Sequence, residues 1–173
     1  MVAMDARTCL ELLLGESTTV TALLEHLVGE PVDAQRLRHV RVAAVAPNLL
    51  DVPEGQVLLR RSAVLQGRES GRAYLRAESL LVTTRLRRSF TERLRTGHDP
   101  IGRIMTSEKL DYTRTLLPLH DREAVLAFLE PEKSDSLLVR SYRLEVDDEP
   151  VMIIEESFLR SLEPFLTACP EAL

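Results

Sequence analysis

Two segments of this chain share the same order of residue types, and this repeat limits the possible fold more than any other feature. Residues 57–82 are VLLRRSAVLQGRESGRAYLRAESLLV, and residues 136–159 are SLLVRSYRLEVDDEPVMIIEESFL. Each segment runs from two leucines through an arginine and an apolar strand to a polar turn, then through a second strand to Glu-Ser. The turns GRESG and DDE have the composition of hairpin turns. The sequence therefore predicts two β-hairpins.

Helical segments flank and separate the predicted hairpins. Amphipathic patterns and stop signals predict helices at residues 4–14, 21–31, 89–97, 99–105 and 121–131, and a strand at residues 41–47. Ser89 and Glu92 are spaced as a capping box at the start of the third helix. Hairpins joined by helices are typical of an antiparallel α+β fold. We therefore predict a single domain over residues 1–173, built on a single antiparallel β-sheet of about six strands with helices packed mainly on one face.

The composition excludes several classes of function. The net charge of −5 gives no electrostatic footprint for nucleic acid, and no apolar run reaches the roughly 18 residues that cross a membrane. Cys9 and Cys169 form no CxxC pair and no histidine stands at metal-ligand spacing, so we expect no metal site. The histidines are scattered along the chain, at His26, His39, His98 and His120. These features predict a reduced, cytoplasmic protein with no nucleic-acid or membrane partner.

The predicted strand VMIIEESFL, residues 151–159, carries two consecutive carboxylates within an otherwise apolar run. Side chains alternate along a strand, so Glu155 and Glu156 must point to opposite faces of the sheet. If both faces are covered, at least one of the two carboxylates points into an interior. A charge in that position needs a partner, or it shifts toward its neutral form.

Each hairpin has an arginine early in its first strand and a glutamate late in its second, and such positions are neighbours across an antiparallel pair. One interpretation is two structural ion pairs. The other is a pocket in which a guanidinium grips a substrate carboxylate through two hydrogen bonds while a buried carboxylate exchanges a proton. The second interpretation suits an anionic substrate. The chain has no GxSxG, phosphate-loop, GxGxxG or HExxH motif that would indicate other chemistry.

Four segments in this order resemble the chorismate lyase (chorismate–pyruvate lyase) family, in particular its compact branch. They are STTVTALLEHLVGEPV, VLLRRSAVLQGRESGRAYLRAESLLV, DPIGRIMTSEKLDYTR and EPVMIIEESFL, and they extend over most of the chain, from Ser17 to Leu159. The resemblance implies an antiparallel sheet flanked by helices. It also implies a carbon–oxygen lyase that converts the small molecule chorismate into 4-hydroxybenzoate and pyruvate without a metal or an organic cofactor.

The same resemblance implies four site residues. The family's carboxylate-binding arginine falls on Arg60 of LLRRS, and its glutamate falls on Glu156 of ESFL. Backbone contacts to the product carboxylate fall on Ile101 of PIGR and on Val20 of TTVT. On this basis we expect Arg60 to clamp the ring carboxylate and Glu156 to act as the general acid/base.

Alternatives to two of these assignments stay open. A slip of one residue would select Arg61 for the clamp, and counting along the last strand from its other end would select Glu155 for the carboxylate. The internal repeat favours Glu156 over Glu155, because it aligns Glu78 with Glu156. Glu78 and Arg140, the counterparts in the repeat, either line the other side of the site or form structural ion pairs.

Two other functions also fit the sequence. One is an enzyme of the same fold that acts on a different substrate, since a fold does not determine a function. The other is a non-catalytic small-molecule-binding module, because the effector-binding domains of some bacterial regulators have a similar fold. Those domains normally follow a DNA-binding domain, and no basic recognition helix precedes residue 17.

Overall fold

The computed structural model describes residues 4–16, 19–118 and 135–167, so the helix predicted at residues 121–131 lies outside the described residues. The described helices are α1 (Ala6–Glu16), α2 (Val20–Val28), α3 (Arg88–Thr96), α4 (Ile101–Ser107) and α5 (Glu163–Leu166). The strands are β1 (Val32–Ala43), β2 (Val57–Gly67), β3 (Ala73–Leu81), β4 (Thr113–Leu116), β5 (Ser136–Val146) and β6 (Glu149–Leu159). Short 3₁₀ turns follow β3 and β6, at Thr83–Arg85 and Arg160–Leu162.

The six strands form one antiparallel sheet in the order β1-β2-β3-β6-β5-β4. The two predicted hairpins are β2–β3 and β5–β6, and they join at the centre of the sheet through β3 and β6. The second hairpin closes through Asp147 and Asp148, whose φ angles of 53° and 62° are those of a two-residue turn that matches the strand twist. The predicted α+β fold class is confirmed.

Helices cover mainly one face of the sheet, as predicted. Buried residues of α1, α2 and α5 pack against Leu75 and Phe158 at one end of that face. Buried residues of α3 and α4 pack against Leu144 and Ile154 at the other end. The opposite face is covered in part by the segment after β1, residues 44–52, which packs on a smaller apolar cluster. Burial of these apolar clusters is the main favourable contribution to folding.

Two sequence predictions about element boundaries are wrong. Strand β1 begins at Val32, nine positions before the predicted start, and ends at Ala43. It is an outer strand with one neighbour, so many of its polar side chains are exposed and the apolar alternation used to recognise strands is weak. The capping box is also absent, because the hydroxyl of Ser89 donates to Glu108 while Glu92 accepts from Arg88.

Cys9 lies on α1 and is fully buried in the first core cluster. It is disulfide-bonded, so the expectation that the cysteines are reduced is wrong for this residue. Within residues 4–16, 19–118 and 135–167, no helix is long and apolar enough to cross a membrane.

Candidate active site

A cavity opens between the helix-covered face of the sheet and the first turns of α2 and α4. It holds about 520 Å³ of atom-free space, its open mouth included. Most of its wall is apolar, with side chains such as Leu75, Met105, Leu144 and Ile154. The ionisable side chains that line it are Arg61, Arg114, Tyr142 and Glu156. A mostly apolar cavity with a few convergent polar groups is typical of small-molecule sites.

Glu156 points into this cavity from the central strand β6 and is only 4% exposed. One carboxylate oxygen accepts a hydrogen bond from Arg140 Nε at 2.7 Å, and the other accepts one from the Tyr142 hydroxyl at 2.5 Å. The predicted contact between an arginine and a glutamate across this hairpin is therefore present. The buried carboxylate therefore has the partners that a buried charge needs, namely the counter-charge of Arg140 and the neutral hydroxyl donor of Tyr142.

Tyr142 is the donor that holds the second oxygen of Glu156. Burial, followed by the negative charge of Glu156, raises the pKa of Tyr142 well above its ordinary value of 10.0. The phenol therefore stays protonated at neutral pH and donates its proton to the carboxylate. Each carboxylate oxygen has a further lone pair, so Glu156 can still accept a proton from a ligand in the cavity.

Arg61 is the arginine of the LLRRS stretch that lines the cavity, and it is 2% exposed. Its Nη2 donates to the backbone oxygen of Asp99 at 3.1 Å, which fixes the side chain against the start of α4. Its buried Nε has no hydrogen-bond partner within the described part of the chain. Burial lowers the pKa of Arg61 to about 10, so the guanidinium remains charged at neutral pH.

Arg60 does not line the cavity, and the prediction that it faces the site is corrected to Arg61. Adjacent side chains on a strand point to opposite faces, and Arg60 points to the face away from α2 and α4. There its Nε lies 3.4 Å from Glu78, which also accepts a hydrogen bond from Ser62. For this hairpin the first of the two interpretations holds, because the Arg60–Glu78 contact is a structural ion pair.

The internal repeat aligns Glu78 with Glu156, but the two side chains do not lie on the same face of the sheet. In the pairing of β3 with β6, Glu78 lies opposite Glu155, whereas Ala77 lies opposite Glu156. Glu78 and Glu155 therefore share the face away from the cavity. Glu155 is buried there and accepts a hydrogen bond from Ser141 at 3.2 Å. The repeat aligned two glutamates that lie on opposite faces of the sheet.

Val20 and Ile101 both line the cavity, and each is the first residue of its helix. The first N–H groups of a helix have no acceptor within the helix, so they are available to an anion. The two helix starts are close together at Gly102. A Cβ atom there would lie 2.8 Å from Thr21 Oγ1 and 3.2 Å from Thr19 Cβ. Glycine is therefore what allows α2 and α4 to meet at this wall of the cavity.

Sequence analysis missed two of the ionisable residues that line the cavity, Tyr142 and Arg114. Tyr142 could have been found, because it lies two positions after Arg140 on a predicted strand and so shares its face. Arg114 lies on the four-residue strand β4, which was not predicted at all. Within the described ranges no group of His, Cys, Asp or Glu side chains could hold a metal ion.

A model of the protein family described as chorismate pyruvate-lyase Rv2949c-like matches residues 10–166. The chorismate pyruvate-lyase of Mycobacterium tuberculosis (strain ATCC 25618 / H37Rv) is 29% identical over 161 residues, which cover 88% of this chain and 80% of that protein. The chorismate pyruvate-lyase of Mycobacterium leprae (strain TN) is 29% identical over 163 residues, which cover 88% of this chain and 75% of that protein.

Two solved structures align with the chain at lower similarity. The ligand-binding domain of a putative GntR-family transcriptional regulator from Bordetella bronchiseptica has a TM-score of 0.45 at 16% identity, covering 75% of this chain and 82% of that chain. PhnF from Mycobacterium smegmatis has a TM-score of 0.47 at 13% identity, covering 84% of this chain and 65% of that chain. At these TM-scores the alignments carry no conclusion about function.

Proposed function

Because this chain belongs to the Rv2949c-like chorismate pyruvate-lyase family, we propose that it is a carbon–oxygen lyase that eliminates pyruvate from chorismate and leaves 4-hydroxybenzoate. The observation that carries the proposal is the buried Glu156 carboxylate, which faces a mostly apolar cavity that also contains the Arg61 guanidinium. Chorismate has two carboxylates and an enolpyruvyl ether on a non-aromatic ring. Its elimination needs bound carboxylates, a dry site and a group that moves a proton.

Arg61, Val20 and Ile101 form the proposed binding site for the ring carboxylate. Arg61 provides a fixed charge whose Nε has no hydrogen-bond partner in the described part of the chain. The helix starts at Val20 and Ile101 provide backbone N–H groups on the same cavity wall. A guanidinium and oriented N–H donors together suit a carboxylate, because each donates to a different lone pair.

Glu156 is the proposed general acid/base. The bond between ring carbon and ether oxygen breaks, and the adjacent ring carbon, which carries the hydroxyl group, loses its proton, so the ring becomes aromatic. The carboxylate of Glu156 accepts that proton. The departing enolpyruvate takes up this proton from Glu156 at its methylene carbon and becomes pyruvate, so the carboxylate is regenerated and atoms and charges balance. Arg140 and Tyr142 hold the carboxylate in position throughout, since each donates to one of its oxygens.

The apolar wall is expected to assist the same step. Side chains such as Leu75, Leu144 and Ile154 reduce the number of water molecules near the reacting bond. In a site with little water, the interaction between charged side chains and the charge that develops on the leaving group is stronger than in bulk solvent.

Incubation of the purified protein with chorismate tests the proposal. We expect 4-hydroxybenzoate, measured by chromatography, and pyruvate, measured by a coupled dehydrogenase assay, to form in equal amounts. Binding of chorismate without formation of either product would contradict the lyase proposal and support a non-catalytic binding module. Turnover of a different enolpyruvyl compound in place of chorismate would indicate an enzyme of the same fold with another substrate.

A further inference from the structure

Arg114 lines the cavity but takes no part in the elimination proposed above. It lies on the outer strand β4, where it pairs in register with Leu144 of β5. Its guanidinium carbon lies 4.7 Å from the centre of the Tyr142 ring, which supports the charged group from one side. Its Nε is buried and has no hydrogen-bond partner within residues 4–16, 19–118 and 135–167. A buried donor of this kind is costly unless a ligand or a water molecule accepts its hydrogen bond.

Among the described residues that line the cavity, there are two arginines and one glutamate. Glu156 is paired with Arg140 at 2.7 Å. Neither Arg61 nor Arg114 has a carboxylate partner within the described ranges, although both line the same cavity. Two guanidiniums that line one cavity, Arg61 buried and Arg114 half-buried, favour a ligand that brings two negative charges.

The two guanidiniums approach from opposite ends of the cavity. Arg61 lies on β2 and Arg114 on β4, and three strands lie between them in the sheet. Four strand spacings correspond to about 19 Å between their backbones, so each guanidinium reaches the cavity from its own end. One carboxylate is too small to bind both arginines at once, whereas a ligand with a carboxylate at each end can do so.

We infer that Arg114 binds the second carboxylate of the substrate, the one on the enolpyruvyl group, and that it makes the site select a dicarboxylate over a monocarboxylate. This assignment rests on the proposed function, in which Arg61 binds the ring carboxylate. It has a consequence for product release. Cleavage of the ether places the two carboxylates on separate molecules, so 4-hydroxybenzoate stays at the Arg61 end of the cavity and pyruvate is held only through Arg114.

Binding measurements with two unreactive ligands test the assignment. One ligand is 4-hydroxybenzoate, which has a single carboxylate. The other is 3-(1-carboxyvinyloxy)benzoate, an aromatic compound that has both carboxylates and cannot eliminate to a more stable ring. Titration calorimetry would be performed on the wild type, Arg114→Gln and Arg61→Gln. Arg60→Gln is the matched control, because Arg60 adjoins Arg61 but lies on the other face of the sheet.

Arg114→Gln should weaken the dicarboxylate by about tenfold or more, the scale of one lost charge-assisted hydrogen bond, and leave 4-hydroxybenzoate unchanged. Arg61→Gln should weaken both ligands, and Arg60→Gln neither. Equal weakening of both ligands in Arg114→Gln, or of neither, would overturn the assignment, because a merely structural role cannot change their ratio. If Arg114→Gln does not fold, Arg114→Lys keeps the charge but loses the planar fork, and it should show the same selective loss.

These measurements distinguish a failure of the lyase proposal from a failure of the Arg114 assignment. If the wild type binds the dicarboxylate in an Arg114-dependent way but does not convert chorismate, the dicarboxylate site stands and the lyase proposal fails. If the wild type converts chorismate while Arg114→Gln keeps its KM and its dicarboxylate affinity, the lyase proposal stands and the Arg114 assignment fails.

Discussion

At the scale of single residues, Glu155 and Glu156 provide a matched pair, because they are adjacent in sequence and lie on opposite faces of one strand. Glu156→Gln keeps the shape of the side chain but removes the carboxylate that accepts the ring proton. We expect the rate of chorismate turnover to fall by about 10²–10⁴, the usual range for a general acid/base. Binding of 4-hydroxybenzoate should persist, since Arg61 and the helix starts are intact. The rate of pyruvate formation measures turnover, and titration with 4-hydroxybenzoate measures product binding.

Glu155→Gln is the control for that prediction. Glu155 lies outside the cavity and accepts a hydrogen bond from Ser141. Its substitution should therefore leave the turnover rate close to that of the wild type. Near-normal turnover in Glu156→Gln would remove the proton-transfer role and leave a site that acts by positioning alone.

At the scale of elements, Glu30 links the turn after α2 to the turn of the first hairpin. Its carboxylate accepts hydrogen bonds from the backbone N–H groups of Glu69 and Ser70, at 2.7 and 2.9 Å, and from the hydroxyls of Ser70 and Tyr74, at 2.5 and 3.1 Å. The Ser70 hydrogen bonds contribute most to lowering the pKa of Glu30 from 4.5 to about 2. Four donors therefore stabilise the ionised carboxylate in the folded state.

The lowered pKa of Glu30 predicts how stability depends on pH. A carboxylate whose folded pKa lies below its unfolded pKa stabilises the fold above the unfolded value and loses this effect as the pH falls through the folded value. Glu30→Gln should therefore be less stable than the wild type at pH 7, and the difference should shrink as the pH falls from 4.5 toward 2. Urea unfolding at several pH values measures this. Glu92→Gln, at an exposed site on α3, should change stability little at any pH.

A second prediction at the scale of elements concerns Gly102, where α2 and α4 meet. An alanine Cβ at this position would lie 2.8 Å from Thr21 Oγ1, so Gly102→Ala should push the start of α4 away from α2. Because both helix starts line the cavity, we expect the specificity constant for chorismate to fall by up to about 10²-fold, as for other small misplacements of binding groups. Steady-state kinetics measure the change.

Gly15→Ala is the matched control for Gly102→Ala. A Cβ at Gly15 of α1 would meet no atom within 4 Å. Alanine there should leave the kinetics unchanged and stabilise the protein by about 0.5–1 kcal/mol, because glycine is unfavourable within a helix. Equal specificity constants in the two alanine variants would show that the close approach of α4 to α2 at Gly102 is not needed for turnover.

At the scale of the whole molecule, the cavity is lined by residues from α2, α4 and five strands, β2 to β6. A ligand that needs all of these elements in place binds only the folded chain. We therefore expect 4-hydroxybenzoate at 100 times its dissociation constant to stabilise the fold by about 2.7 kcal/mol and to raise Tm. The neutral analogue 4-hydroxybenzyl alcohol lacks the carboxylate and should give a smaller shift in thermal melts. Equal shifts would argue against a carboxylate site at Arg61.

Local patterns in the sequence were sufficient to predict much of this fold. The hairpins β2–β3 and β5–β6 follow from apolar strands separated by polar turns, and α2 follows from its amphipathic pattern and its terminal glycine. The antiparallel α+β class follows from the order of these elements. Glu156, Val20 and Ile101 line the cavity, and each occupies a strand or a helix start that the sequence marks clearly. β4 and the true start of β1 were not predicted, since outer strands are short or polar.

Tertiary structure alone decided which side chains meet. Arg60 and Arg61 have the same chemistry and are one position apart, and a slip of one residue on a strand transfers a side chain to the other face. Which face bears the cavity depends on where α2 and α4 pack, and no pattern within LLRRS records that. Arg114 reaches the same cavity only because β4 closes one end of the sheet and β2 lies near the other. The sequence determined the strands and the types of charge, while long-range packing determined which of those charges share a site.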